Sequence, residues 1–509
     1  MAKFLKSSIL LLLLALVVTA CSGKSSNESS SSGGDKGGST SKDPVTLKIV
    51  MPGDRPADMD KVIAEIEKRN QPTLNVKLDI VFASWSDIHQ KTQIMLTSGE
   101  PVDLMFDAPW MHIDAMASAG YYEPLSDLLN EYGKNILAAR PQQMWDANKI
   151  NGQVLAIPLG NSFYKPTTYY IRKDLREKLG LPPVKSYDDI VAFARQVKEK
   201  FPDIVPMTPQ TQIPMSEVHF RLAQGTDVMM TPMLTDFILY RAPNSPKIRN
   251  MLDDPSPVIW SAIQNARQLY VDKIINPDVM AIKDPDNWVT THPTAVYLAT
   301  DFGLKADLAK NLLSNLPGSA LESFTLFDAT PGKNSSTFKQ WNFMTVPKSS
   351  KHKKEAIQFL DWANASQDNY DLLAYGIKGV NWEDAGNQQY KMLTADKYPW
   401  FPYDWIWNPT YDRQDANQEP AAVELNRFIG NADNFQTDVL TGFNFDTSAV
   451  QNELSQFNAL ENQYLLPIYN GTVDLDTYWK EFSDKAGPAL KKIQEEGQRQ
   501  IDAFLKNKS

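Results

Sequence analysis

The stretch "VTLKIVMPGD" (Val45–Asp54) decides how the rest of the chain is read. Val45, Leu47 and Ile49 alternate with polar residues, the period of a strand, and Pro52-Gly53-Asp54 closes it. From Asp58 the apolar spacing changes to that of a helix, through Val62, Ile63 and Ile66, ending near Asn70. "LNVKLDIVFA" (74–83) is a second strand. "SWSDIHQKTQIMLTSGEP" (84–101) is a helix capped at Ser84 or Ser86 and stopped at Gly99. "VDLMFDAP" (102–109) is a third strand. Strands alternating with helices predict right-handed crossovers, a mostly parallel sheet and an α/β fold. Ligands of such sheets sit beyond the carboxyl ends of the strands. Those ends are Gly53–Arg55, Ala83–Asp87 and Asp107–Trp110.

Further along, short strands are expected at Val154–Pro158, Thr167–Ile171 and Thr294–Thr300, and another within "TFKQWNFMTVPKSS" (337–350). Ser186 with Asp189 has the form of a capping box carrying an acid. Residues 172–290 read as mainly helical with proline breaks, and "KHKKEAIQFLDWANASQDNYDLLAYG" (351–376) as one long helix. The last third is helical and aromatic, densest at "KYPWFPYDWIWNPTY" (397–411), which reads first as a structural knot of rings. The sequence has no internal repeat.

The N-terminus has another logic. Lys3 and Lys6 precede an apolar run from Ile9 to Val18, too short for a mature span of about 20 residues. "LVVTACSG" (16–23) holds the only cysteine, Cys21. Val18-Thr19-Ala20-Cys21 resembles the lipobox of bacterial lipoproteins, with Val18 where Leu is common. That resemblance implies that residues 1–20 are a signal peptide and that Cys21 carries a diacylglycerol at the mature N-terminus. Residues 21–44, rich in Ser and Gly, cannot bury a core and read as a tether. As a flexible coil its reach is roughly 25 Å. Losing Lys3 and Lys6 moves the formal charge from −10 to −12. With no second cysteine in the sequence, the body must be held by its core alone.

Composition and motifs exclude several chemistries. The acidic balance argues against nucleic acid. The histidines His89, His112, His219, His292 and His352 lie far apart, so no zinc site is expected. "KDPDNW" (283–288) lacks the glycine and terminal glutamate of a calcium loop. The motifs of nucleophilic hydrolases, P-loops and dinucleotide binding do not occur in context. No metal or cofactor is therefore expected.

Taken in order, "LTSGEPVDLMF", "AIPLG", "TTYYIRKDLREKLGL", "SYDDIVAFARQVK" and "VPKSSKHKKEAIQFLDW" resemble the extracellular solute-binding proteins that feed ABC importers of sugars. The likeness runs from about 45 to 395. "YDLLAYGIKGVNWE" and the tail resemble the larger oligosaccharide-associated lipoprotein branch, with Val380-Asn381-Trp382 where that branch commonly has His-Tyr. The resemblance implies a two-lobe, periplasmic-binding-protein-like fold of type II, each lobe a mostly parallel sheet flanked by helices, with a helical C-terminal extension. It implies a first lobe of 45–156 plus 296–346 and a second of 157–295 plus 347–509. The crossings are expected near Ala156–Pro158, Thr294–Thr300 and Pro347. It further implies a carbohydrate ligand, ABC permease partners, a monomer, and a membrane contact through the lipid anchor alone.

Sugars offer flat C–H faces to aromatic rings and hydroxyl rims to polar groups. The candidate ligand residues are accordingly Asp54, Arg55, Trp85, Asp87, Asp107, Trp110, Asn161, Tyr164, Asp301, Trp341, Trp405 and Trp407. Two rival readings stay open: a secreted carbohydrate-active hydrolase, which would also carry a carboxylate-lined aromatic cleft, and a peptide-binding lipoprotein.

Overall fold

The computed structural model describes residues 43–160, 162–209, 216–222, 228–282, 285–299, 306–399 and 404–508. Two sheets organise it. Their strands, in chain order, are β1 (Val45–Pro52), β2 (Val76–Ala83), β3 (Leu104–Asp107), β4 (Ala156–Leu159), β5 (Thr167–Arg172), β6 (Val205–Thr208), β7 (Thr294–Ala299), β8 (Leu321–Leu326) and β9 (Asn342–Thr345). The first sheet has the order β2-β1-β3-β9-β4, and the second β8-β5-β7-β6.

The opening strand–helix–strand unit forms as its periodicity dictates. β1 and β2 pair in parallel from Val45↔Val76 to Pro52↔Ala83. Leu47, Ile49 and Val50 are fully buried between the helices on the two faces. Helix Met59–Asn70 buries Met59, Val62, Ile63 and Ile66 against this sheet. Helix Ile88–Ser98 ends at Gly99, whose φ of 70° is the left-handed conformation that closes a helix.

Register fixes which ends of the sheets meet. β9 runs antiparallel to β3 and β4, pairing Phe343 with Asp107 and Asn342 with Leu159. The chain therefore leaves the first sheet after Leu159 and re-enters at Asn342, at the same end as the carboxyl termini of β1–β3. It joins the second sheet at Thr167 and departs at Leu326, which are paired. β7 and β6 are parallel and finish at that same end, since Ala299 pairs with Thr168 and Tyr297 with Thr208. Each sheet thus turns the carboxyl ends of its parallel strands toward the other.

The structure differs from the expected division at two places. Residues 294–326, expected largely in the first lobe, lie in the second sheet: Val296 pairs with Ile171 on one side and Met207 on the other. Helices Lys353–Ala363 and Gln367–Tyr375, expected in the second lobe, bury Phe359, Leu360, Tyr370 and Leu373 in the core of the first sheet. These two helices were expected as one. Ser366 breaks them by accepting the N–H of Asn369 and starting a new helix. The passages between lobes therefore lie at 160–166 and 327–341, not at Thr294–Thr300 or Pro347. Pro347 is bridged to Tyr122 within the first lobe.

A third passage carries the chain from the first core at Tyr411 to a separate helical core that holds Leu440, Phe443 and Phe457. Here the long helix Leu475–Lys508 buries Phe482, Ala486, Leu490, Ile493, Gly497 and Ile501, a stripe three to four residues apart. This extension is tied to the second lobe by a buried ion pair, Arg241 Nη1 to Asp438 Oδ2 at 2.9 Å. Asp438 also accepts the N–H of Leu440. Removing one partner of such a pair strands the other charge. Asp438→Ala should lower the unfolding free energy by about 3–5 kcal/mol in urea titrations, while Arg241→Met with Asp438→Leu together should recover most of the loss. Equal losses for single and double variants would contradict this.

Candidate functional site

The carboxyl ends of β1, β2 and β3, with the start of β9, form the floor of the space between the lobes. Three tryptophans stand on this floor: Trp85 and Trp110 are 51% exposed and Trp341 52%. In a chain that buries Trp382, Trp405 and Trp407 almost wholly, half-exposed indoles are the exception. Trp85 and Trp110 are neighbours, with ring centroids 6.1 Å apart, and both contact Phe106. The turn at Gly53 passes beside the first indole. Gly53 has φ of 88°, and a Cβ there would lie 3.5 Å from Trp85 Nε1. Trp110 Nε1 donates to Asn342 Oδ1 at 3.3 Å, joining the third strand end to β9. Lys165 Nζ sits 5.3 Å from the centroid of Trp341, linking the first passage to the second.

Asp107, a sequence candidate for ligand contact, has another task. It is fully buried and accepts from His112 Nδ1 at 2.8 Å, from the hydroxyl of Tyr122, and from the N–H of Ala108 at 2.7 Å. His112 Nε2 in turn meets Thr92 Oγ1 at 2.8 Å. Burial and the Asp107 charge both push the Tyr122 phenol well above its ordinary range. The network is a pedestal that sets the 107–112 turn, and so the position of Trp110. Asp107 is therefore corrected from a ligand contact to a positioning residue.

The other candidates divide. Asp54 is exposed at the end of β1. Arg55 is turned to the flank, with Nη1 on the Ile80 carbonyl at 2.9 Å, Nη2 on Asp60 and its guanidinium over Phe82. Asp87 is exposed and receives the hydroxyls of Ser84 at 2.8 Å and Ser86 at 3.3 Å. Tyr164 is half-buried, stacked on Phe435 and tilted against Phe327. Trp405 and Trp407 are buried, Trp405 in the first core and Trp407 against Phe163. Their aromatic stretch is a structural knot over its described part, and neither stands on the floor with the exposed tryptophans. Asn161, Asp301 and Cys21 lie outside the described residues. Sequence reasoning missed Asn342 and Lys165. Their signal was adjacency to Trp341 and to the first passage.

It also missed Glu217, at the start of helix Glu217–Leu222 in the second lobe. Its carboxyl is fully buried, neither oxygen has a hydrogen-bond partner, and burial pushes it up to about 8, opposed by Arg221. Among the described residues, no cluster of His, Cys, Asp and Glu could hold a metal ion, and no helix is long and apolar enough to cross a membrane.

Two lobes, each a mixed sheet rather than the mostly parallel one expected (β7–β6 is the one parallel pair of the second), with the carboxyl ends of their parallel strands facing each other across three passages, define the class of two-domain solute receptors. Residues 53–370 match the model of the bacterial extracellular solute-binding proteins, and the chain belongs to this family, which works outside the cytoplasm. Residues 439–506 match a domain of unknown function, coincident with most of the helical extension. A carbohydrate ABC transporter substrate-binding protein of Streptococcus pneumoniae serotype 4 is 25% identical over 93% of this chain and 94% of its own. The crystal structure of the N-glycan transport solute-binding protein from Streptococcus pneumoniae superposes with a TM-score of 0.69 at 22% identity, over 91% of this chain and all of that one. A solute-binding protein of Bifidobacterium longum infantis, described as binding HMO, has a TM-score of 0.62 at 15% identity, over 91% of this chain and 99% of that one.

Glu217 generates a pH prediction. Its folded-state pKa of about 8 lies above the ordinary 4.5. The folded protein therefore holds a proton that the unfolded chain releases, and this stabilisation is lost as pH rises from about 4.5 to about 8. Glu217→Gln, neutral at every pH, should flatten the fall of melting temperature between pH 5 and pH 8. Parallel profiles for the two proteins would sink the assignment.

Proposed function

We propose that this protein is the capture subunit of an ABC importer, taking an oligosaccharide between its lobes and delivering it to a permease, without cleaving it. The observation that carries this reading is the floor of half-exposed tryptophans at the sheet end that faces the second lobe. Indole faces bind the C–H faces of pyranoses, and the solvent-facing acid Asp54 stands beside them for hydroxyls. The curated relative named as a carbohydrate substrate-binding protein and the solved relative crystallised with Man1GlcNAc support the ligand class. Lipobox chemistry at Cys21 would hold the receptor at the membrane, where tethering raises its effective concentration at the permease. On this reading Trp85, Trp110, Trp341 and Asp54 touch the ligand, whereas Asp107 acts through Trp110. Asn161 and Asp301 remain proposed contacts from their strand ends.

Closure is a population shift. A ligand that touches both lobes only when they are closed favours that state by its differential affinity. Isothermal titration of the mature protein against a panel of neutral oligosaccharides, beginning with mannose–N-acetylglucosamine compounds, should find a binder. Small-angle scattering should show compaction with that compound. Losing the burial of one indole face corresponds to roughly 1.5–3 kcal/mol, so Trp85→Ala and Trp110→Ala should each weaken binding about 10- to 100-fold. Product formation on chromatography would refute the non-catalytic reading, and a flat response to the whole panel would refute the ligand class. Cys21→Ser should move the protein from the membrane fraction to the soluble one. Continued membrane association would remove the anchor from the proposal.

A further inference from the structure

A cavity of about 450 Å³ lies apart from the tryptophan floor. Its lining includes Phe163, Trp407, Gln388, Asp412, Arg427 and Asn431, and shares no residue with the loops that carry Trp85, Trp110 and Trp341. Its volume falls within the range of small-molecule sites, about 300–1,000 Å³. It is built from separate parts of the chain: Pro141, Phe163 of the first passage, Gln388, residues between Trp407 and Gln414, and the end of helix Pro420–Ile429 with the turn after it.

Its chemistry is selective. Phe163 and Trp407, with centroids 5.3 Å apart and both nearly buried, close its inner wall, and Pro141 and Pro409 add apolar edges. Asp412 is held in place by the hydroxyls of Tyr375 at 2.9 Å and Tyr370 at 3.2 Å. Arg427 is steadied by donating to the Asn387 carbonyl, and Gln388 by donating to Gln367 and to the Thr410 carbonyl. Asn387 and Gln388 both have positive φ, of 51° and 55°, so a tight turn carries Gln388 to the rim. An apolar wall with proline edges next to fixed acceptors and donors suits a small ring with an apolar face and a hydroxyl rim. A single arginine opposite two acids, Asp412 and Asp433, gives no excess of positive charge for a phosphate or carboxylate. No metal-ligand cluster is present among the described residues.

We propose that this cavity is a second binding site, for one neutral hexose, independent of the space between the lobes. It goes beyond the capture function, and does not require it. Twelve heavy atoms in a cavity of this kind correspond to a Kd on the order of millimolar. The test is saturation-transfer NMR and calorimetric titration of the mature protein with glucose, mannose, galactose and N-acetylglucosamine. It uses three variants. Thr410→Trp fills the cavity from an exposed position, Arg427→Ala removes a donor, and Trp85→Ala with Trp110→Ala disables the tryptophan floor. Trp407 is left alone because its burial makes misfolding the expected result of truncation. The expected result is millimolar binding of at least one hexose that survives the double variant and weakens tenfold or more in Thr410→Trp and severalfold in Arg427→Ala. Hexose binding lost in the double variant and untouched by Thr410→Trp and Arg427→Ala would place the sugar on the floor, overturning the second site while leaving interlobe capture standing. No hexose binding at tens of millimolar would overturn it as well. Failure of interlobe capture would show separately, as oligosaccharide affinity unchanged in the double variant.

Discussion

The aromatic cluster where the three passages meet is the constraint on which the rest of the architecture depends. Phe163 comes from the first passage, Phe338 from the second, Trp407 from just before the third, and Ile429 and Phe435 from the third, and they pack into one buried core. Phe163 lies 5.6 Å from Phe338 and 5.3 Å from Trp407. Backbone bonds lock the same junction: Phe163 N–H donates to the Ile429 carbonyl, and Ser336 Oγ to the Phe163 carbonyl. Three loose strands of chain would let the lobes drift through many relative placements, each costing entropy to select on binding. Bundled at one packed junction, they leave few dihedrals to absorb motion, the arrangement a hinge requires. Gly160 is part of this logic. A Cβ there would meet Gln340 Oε1 at 2.1 Å, so a side chain at this position would have to displace the Gln340 amide that links the two passages.

The floor depends on a second, polar constraint. A half-exposed indole is unfavourable in water, and its position is useful only if it does not collapse onto neighbouring apolar surface. Trp110 is kept out by the turn that Asp107 holds, with His112, Tyr122 and Ala108 all donating to one carboxylate. Fully satisfied, such a buried network is rigid, and partly satisfied it would be costly. This explains why an acid at the end of a strand facing the other lobe is spent on structure. A mobile carboxylate could bind one hydroxyl, whereas a fixed one preorganises a whole ring face.

Much of this was legible in the residues. The alternation in Val45–Val50 and the helical spacing of Val62, Ile63 and Ile66 are local signals, and the first sheet formed on them. The exposed tryptophans followed from one rule, that ligands meet the carboxyl ends of parallel strands. What the residues did not show were facts of long-range pairing. Strand Thr294–Ala299 looks the same in either lobe until Val296 is seen between Ile171 and Met207. The helices at 353–375 carry an apolar stripe that fits any sheet, and only their place in one core with Ile49 and Leu104 decides which. Asp107 and Arg55 failed as candidates for a related reason. Their types are right for sugar hydroxyls, but Asp107 is consumed by His112 and Tyr122, and Arg55 is drawn to the flank by Ile80 and Asp60, residues whose proximity no local pattern encodes.

These assignments also divide the labour of recognition. With Asp107 buried, Arg55 turned to the flank and Asp87 shared by two serines, the first lobe offers mainly ring faces and one unshared acid, Asp54. Ring faces read the shape of a sugar's apolar side and tolerate many hydroxyl patterns, as aromatic stacking does for the bases of single-stranded nucleic acids. They also act equally in the open and closed states, and a contact made equally in both shifts nothing between them. On the proposed function, then, the free energy that closes the lobes must come from the second lobe, at the ends of β6 and β7. The same end must supply discrimination, because a buried hydrogen-bonding group left without its hydroxyl costs far more than a misplaced methylene. On that proposal the receptor divides into a permissive floor that captures and a second edge that selects and closes.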